Sequence, residues 1–258
     1  MDWSLIPLIG LGLFVAGLLK GTTGLGYSSC ALPFLVAAID LKTAIVLVLA
    51  PAMASNLALM WSAGHFRETV QRFQVLYVAL IPGIACGIAM LIWIDHGLAT
   101  RILGVLTILY ALFALAQPQL SLSPRLELAL QLPVGLINGV FTGLTGSQIM
   151  PLLPYMLSLR LDPGRFVQAV NVSVALASLA TAFGLALAGL MTPTLAGLSV
   201  LGVLPAIVGV SLGNALRRYL PAAIFRTFVL LVLAVTGLSL VVPPGLLRSA
   251  LASIASIV

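Results

Sequence analysis

Two short stretches hold the residues whose types and spacing could do chemistry on a small ligand. They are Lys20-Gly21-Thr22-Thr23-Gly24 and Thr142-Gly143-Leu144-Thr145-Gly146-Ser147-Gln148. Glycine lets a backbone leave the helical conformation where other residues resist it. A helix that starts after such a break presents free N–H groups and the positive end of its dipole, which suits an anion. Thr22, Thr23, Thr145 and Ser147 add hydroxyls, Gln148 adds an amide, and Lys20 adds the one formal charge, with Thr142 at its twin position. A lysine at the bilayer centre costs roughly 2.5–3.5 kcal/mol on insertion scales, so its placement there points to function. The competing reading is an ammonium that snorkels to a nearby interface. For the glycines and threonines the competing reading is close helix packing. Asn138, Asn171 and Asn56 are further polar residues within apolar runs. Asn138 and Asn171 join the candidate binding set, and interhelical hydrogen bonds explain all three about as well.

These residues must be positioned by membrane helices. The chain has 258 residues, 61% of them hydrophobic and 7% charged, against about 25% charged in an average soluble domain. Such a chain cannot cover a water-soluble surface with charge. Runs such as Leu5–Leu19 and Phe228–Val242 are apolar on nearly all sides, unlike the alternating strands of a membrane β-barrel. The expected fold class is therefore an all-α integral membrane protein spanning a lipid bilayer. The net charge of +6 is the excess of Lys and Arg that membrane insertion keeps on one side; no basic stripe suggests nucleic acid. Cys30 and Cys86 lie inside apolar runs and are expected as small core residues, with no metal site and no cofactor. The N-terminus opens with Asp2 and lacks a positive region before its apolar run, so it reads as part of the mature fold.

A repeat organises the chain. Gly17, Gly21, Thr23 and Gly24 align with Gly139, Gly143, Thr145 and Gly146 at an offset of 122 residues, and Asp40 then falls on Asp162. Ile81-Pro82 matches Leu204-Pro205, and Arg101 opens an apolar run as Arg226 does. The expected organisation is a first transmembrane repeat over 1–117, an inter-repeat loop over 118–126 and a second repeat over 127–258. Each repeat reads as five apolar segments, at about 5–20, 23–39, 43–63, 73–94 and 101–117, then 128–145, 147–159, 166–189, 195–216 and 227–242. The first two of each set are short against the roughly 20 residues of a full span. They are expected to break or turn at the Gly/Thr motif. With the Arg67 loop inside, alternating crossings place Arg67, Arg72, Arg125, Arg160, Arg165, Arg217, Arg218 and Arg226 inside, against Lys42, Arg101 and Arg248 outside. That asymmetry predicts external termini and two halves inserted upside down relative to each other. Secondary transporters recurrently use this plan, with substrate held where discontinuous helices meet.

Other classes fit less well. His65 and His96 lie in loops, the aspartates Asp2, Asp40, Asp95 and Asp162 sit at segment ends, and the H-E-x-x-H pattern is missing, so the expectation is no enzyme. A channel would want rings of polar or charged side chains, and few are available. An anion channel or a structural membrane subunit remains the alternative.

The order Gly17…Gly21…Gly24-Leu25-Gly26 to Pro33, its copy Gly135…Gly139…Gly143…Gly146 to Pro154, and Asp40-Leu41-Lys42-Thr43-Ala44 leading to Pro51 and Asn56 resemble the sulfite exporter TauE/SafE family. The resemblance covers nearly the whole chain. It implies a multi-pass carrier of the bacterial cytoplasmic membrane that exports sulfite, sulfonates or related sulfur-containing organic anions. A small anionic substrate and the lipid bilayer are then the partners, with a homodimer as a weaker expectation. Ser147-Gln148-Ile149-Met150-Pro151 stands where the family tends to show further glycines, which bears on the substrate.

Overall fold

The computed structural model describes residues 5–23, 26–116, 120–216 and 222–242. Gly24 lies outside them, as do Arg217, Arg218 and Arg248. The described residues form helices α1 (Ile6–Thr23), α2 (Tyr27–Val36), α3 (Leu41–Ala63), α4 (Phe66–Arg72), α5 (Gln74–Trp93), α6 (His96–Ala116), α7 (Pro124–Thr145), α8 (Leu152–Ser158), α9 (Pro163–Leu187), α10 (Pro193–Leu201), α11 (Val203–Leu216) and α12 (Ala222–Val241). Local sequence explains where several of them begin. The Asp40 carboxylate accepts from Thr43 N at 3.0 Å to start α3, and Asp162 accepts from Arg165 N at 3.1 Å to start α9. That N-cap bond holds the Asp162 carboxyl below its ordinary pKa. Ser123-Pro124 and Thr192-Pro193 start α7 and α10 with a hydroxyl cap and a proline in the first turn.

Six stretches are long and apolar enough to cross a bilayer: 41–61, 74–93, 96–116, 124–145, 163–187 and 193–216, the last combining α10 and α11. Their outward faces carry Val78, Phe183, Leu187 and Leu204, all well exposed. A contiguous apolar surface of this kind belongs in lipid. Trp61 and Trp93, 90% and 88% exposed, sit in the last turns of their helices, where interfacial aromatic anchors occur.

Four segment boundaries differ from the sequence expectation. The stretch 195–216 is divided at Gly202, and the charged loop after α3 contains the short helix α4. The helix expected over 147–159 is confined to the seven residues of α8, entered through an irregular stretch. Helix α1 continues through Lys20, Gly21 and Thr22 to Thr23, so the backbone is not unwound over those four residues of the first motif. At 1.5 Å per residue, the 10 residues of α2 span only about 15 Å, half of a hydrocarbon core of about 30 Å.

Glycines decide which helices pack most closely. A Cβ on Gly17 or Gly21 would run into the backbone of α11 at Ala206 and Val210, and one on Gly209 or Gly213 would meet α1 at Phe14 and Leu18. The same occurs between α5 and α7, where Gly83 and Gly87 face Gly139 and Gly143. Helices in lipid associate by such close approach of small residues. Helix α3 packs along α9, and α6 along α12.

Charged residues gather at one end of this bundle. Arg72 holds Glu127 through two bonds of 2.7 and 3.0 Å, and Arg165 holds Glu68 and Asp162, each at 2.9 Å. At the opposite end of α3, Leu5, Ala38–Asp40, Thr43, Thr192, Thr194 and Leu195 line a cavity of about 590 Å³.

Candidate functional site

Lys20 is the centre of the site. It lies one turn before the end of α1, and only 4% of it is exposed. Its ammonium turns into the protein, where Nζ donates to Ser55 Oγ at 2.9 Å and to Asn56 Oδ1 at 2.6 Å. The snorkelling alternative therefore fails: the charge is held inside by two neutral residues of α3. None of the ion pairs among the described residues involves Lys20. A buried cation without a counter-charge is costly, and an anion is the partner that would compensate it.

A cavity of about 420 Å³ opens beside this lysine. One part of its wall is polar: Lys20 from α1, Tyr27, Ser28 and Ser29 from the first turn of α2, Asn56 from α3, Gln148 from the stretch before α8, and Asn171 from α9. Gly26, at the N-cap of α2, offers no side chain to cap the first turn. The rest of the wall is apolar and runs along α8 and α9 to Leu59, Leu157 and Phe166, near the charged end. Ser29 Oγ, Asn56 Nδ2 and Gln148 Oε1 are buried and have no hydrogen-bond partner among the described residues. Buried polar atoms are normally paired, and these three belong to residues that line one cavity. Gln148 Nε2 is steadied by Ser178 Oγ at 3.2 Å, and Asn171 Nδ2 bonds back to Val167 O at 2.7 Å.

Of the expected binding residues, Lys20, Gln148 and Asn171 line this cavity. Several others are used by their own helices. The Thr22 hydroxyl donates to Leu18 O and Leu19 O, Thr142 to Asn138 O and Ser147 O, and Thr145 to Phe141 O. Thr145 Oγ1 also accepts from Ser147 N at 3.2 Å, which fixes the turn out of α7. Gly21 forms part of the seam with α11. Gly146 does break a helix: it caps α7 at φ +74° with its N–H on Thr142 O, against Ile45 and Leu32. Such a left-handed C-cap favours glycine. Asn138 is buried with both amide atoms unpaired among the described residues, yet it stands apart from the cavity lining. Gly24 and the side chain of Thr23 fall outside the described residues.

Sequence reasoning passed over Ser28 and Ser29 and weighed Asn56 only as a packing residue. The serines open the helix that follows the first break, so the helix-start argument already applied to them. Ser55 and Asn56 gave no such signal, because only folding brings them to Lys20 from 35 and 36 residues away.

Helices long enough to span a bilayer, apolar outward faces and a polar cavity within the bundle define a multi-pass helical membrane protein of the transporter type. The sequence profile of the sulfite exporter TauE/SafE family matches residues 8–240. The chain belongs to that family of membrane transporters, whose name points to sulfur anions as cargo. No curated protein and no solved structure matches the chain.

Proposed function

We propose that this protein is a secondary transporter that exports a small sulfur-containing anion, sulfite or a sulfonate, across a bacterial cytoplasmic membrane. The observation that carries the reading is the buried, uncompensated ammonium of Lys20 at a cavity with unpaired polar atoms. The first turn of α2 adds N–H groups and a positive dipole end to the same wall. Neutral partners around the lysine favour anion entry without the full cage of charge that would oppose release.

The architecture supports a carrier built from inverted repeats. Asp40 and Asp162 are equivalent caps on equivalent helices, α3 and α9. The two glycine seams also correspond: the first helix of each half, α1 or α7, packs on the fourth long segment of the other half, α11 or α5. On this reading the cavity at Lys20 faces the charged end, which the positive-inside rule makes cytoplasmic. The cavity beside Asp40 and Thr192 faces outward. A substrate would be loaded from the cell side, as export requires.

The test is sulfite binding and counterflow by the purified protein in proteoliposomes, wild type against Lys20→Met. An interaction of about 4 kcal/mol for two charges 4 Å apart at an effective dielectric constant of about 20 sets the upper end of the effect. A loss of affinity on the order of 10²–10³-fold, with insertion and expression kept, is expected. Unchanged binding in Lys20→Met would refute the assignment, and flux without counterflow would identify a channel.

A further inference from the structure

The cavity is larger than a bare oxyanion fills, and much of its wall is apolar. An inorganic ion of four or five heavy atoms, at the roughly 30 Å³ that a water-sized atom occupies, fills on the order of 120–150 Å³. The cavity holds about 420 Å³. The remaining space is bounded by Ile149, Leu153 and Leu157 on the α8 side and by Phe166, Val170 and Val174 on α9. Water there would find few polar partners, and apolar walls of this kind favour an apolar occupant.

The polar part of the wall constrains the head group. Two of the three ammonium donors of Lys20 are taken by Ser55 and Asn56. The third ammonium donor remains, and Asn56 and Ser29, 4% and 6% exposed, line the cavity with Asn56 Nδ2 and the Ser29 hydroxyl unpaired among the described residues. Three donors suit a head of three oxygens. Lys20 is the one cation in the lining and no carboxylate accompanies it, so one negative charge is compensated. A second would be buried alone, at a cost of several kcal/mol.

We infer that this cavity takes an amphiphilic organic monoanion, with a three-oxygen head at Lys20, Asn56 and Ser29 and an apolar body along α8 and α9. The inference rests on the anion-carrier reading above and narrows it, away from sulfite and other small inorganic ions.

The experiment is a calorimetric series on the purified full-length protein with methane-, butane- and hexanesulfonate, sulfite and sulfate. Affinity should rise about fourfold for each methylene that reaches the apolar wall, and sulfate, a dianion, should bind more weakly than methanesulfonate. Leu153→Trp and, independently, Val170→Phe fill the apolar part. In either variant the rise with chain length should collapse, leaving hexane- and methanesulfonate within about twofold of each other. Thermal unfolding of each variant is measured alongside, and the wild-type series stands as a test by itself if both variants misfold. A flat wild-type series, or a slope that survives both substitutions, overturns the apolar-body inference. If the series is flat while Lys20→Met still loses sulfite, the anion site stands and only this inference falls. If Lys20→Met binds every anion as the wild type does, the site reading itself has failed.

Discussion

Replacing Ser199 by alanine tests how the lysine's partners are held in place. Pro51 sits within α3 and has no N–H, so Leu47 O loses the donor that a regular helix would supply. Ser199 on α10 fills this gap. Its hydroxyl donates to Leu47 O at 3.2 Å and accepts from Ala50 N at 3.1 Å, and the residue is 2% exposed. Ser199→Ala leaves the Leu47 carbonyl without a donor where water is scarce, at about 1–3 kcal/mol. A destabilisation of about 1–3 kcal/mol is therefore expected. Pro51→Ala restores the missing donor and lets the ladder close, so Ser199→Ala should cost only about 0.5–1 kcal/mol in that background, as for an ordinary hydroxyl. The coupling energy across the cycle should be about 0.5–2 kcal/mol. Ser55 and Asn56 lie about one turn beyond Pro51 and grip Lys20, so sulfite affinity should fall with stability in the single Ser199→Ala variant. The assay is unfolding of all four variants in detergent, paired with calorimetric binding. Additive effects would refute the claim that Ser199 works through the proline joint.

Two further predictions concern the seams and the orientation. Gly143→Ala drives a Cβ into the backbone of α5 at Ile84 and Ile88 and should cost about 1–3 kcal/mol. Gly10→Ala, where nothing lies within 4 Å, should stabilise α1 by about 0.5–1 kcal/mol; equal effects in thermal unfolding would argue against close packing at Gly143. Single cysteines at His65 and at Thr192, in a background lacking Cys30 and Cys86, should react with an impermeant thiol reagent from opposite sides of the membrane. Labelling of both from outside would defeat the inverted arrangement.

Composition and run length were enough to read a helical membrane protein, because few charges leave no soluble alternative. Asp40 and Asp162 were readable as landmarks since a cap acts locally on the next turn. The glycine motifs were ambiguous for a physical reason: the missing Cβ serves both an unwound backbone and a close helix crossing. Structure separates these uses, giving Gly17, Gly21, Gly139 and Gly143 to the seams and Gly146 to a helix end. Gly83 and Gly87 have no hydroxyl neighbours in the sequence, and their role, like that of Gly209 and Gly213, appears only against the partner helix. Threonines beside the motif likewise bond to their own helix. Lys20 stood out in the sequence with its depth open between a buried and a snorkelling placement, and its grip by Ser55 and Asn56 depends on how α1 meets α3. The shortness of α8 was hidden because residues 147–151 are mostly apolar or small and continue the run without punctuation until Pro151.

The choice of partners for Lys20 bears on how a carrier would work at this site. Had a carboxylate faced the ammonium, an incoming anion would need to displace a buried ion pair, and breaking such a pair costs about 3–5 kcal/mol. Ser55 and Asn56 position the charge while leaving it uncompensated. They belong to α3, while the lysine belongs to α1, which the glycine seam ties to α11. The cation and the residues that orient it therefore sit on different helices. A small displacement of α3 relative to the α1–α11 pair would lengthen the two bonds and redirect the ammonium, with no proton transferred and no ion pair broken. The Ser199 joint at Pro51 is where α3 is already irregular, and there such a displacement meets the least resistance from its own hydrogen-bond ladder.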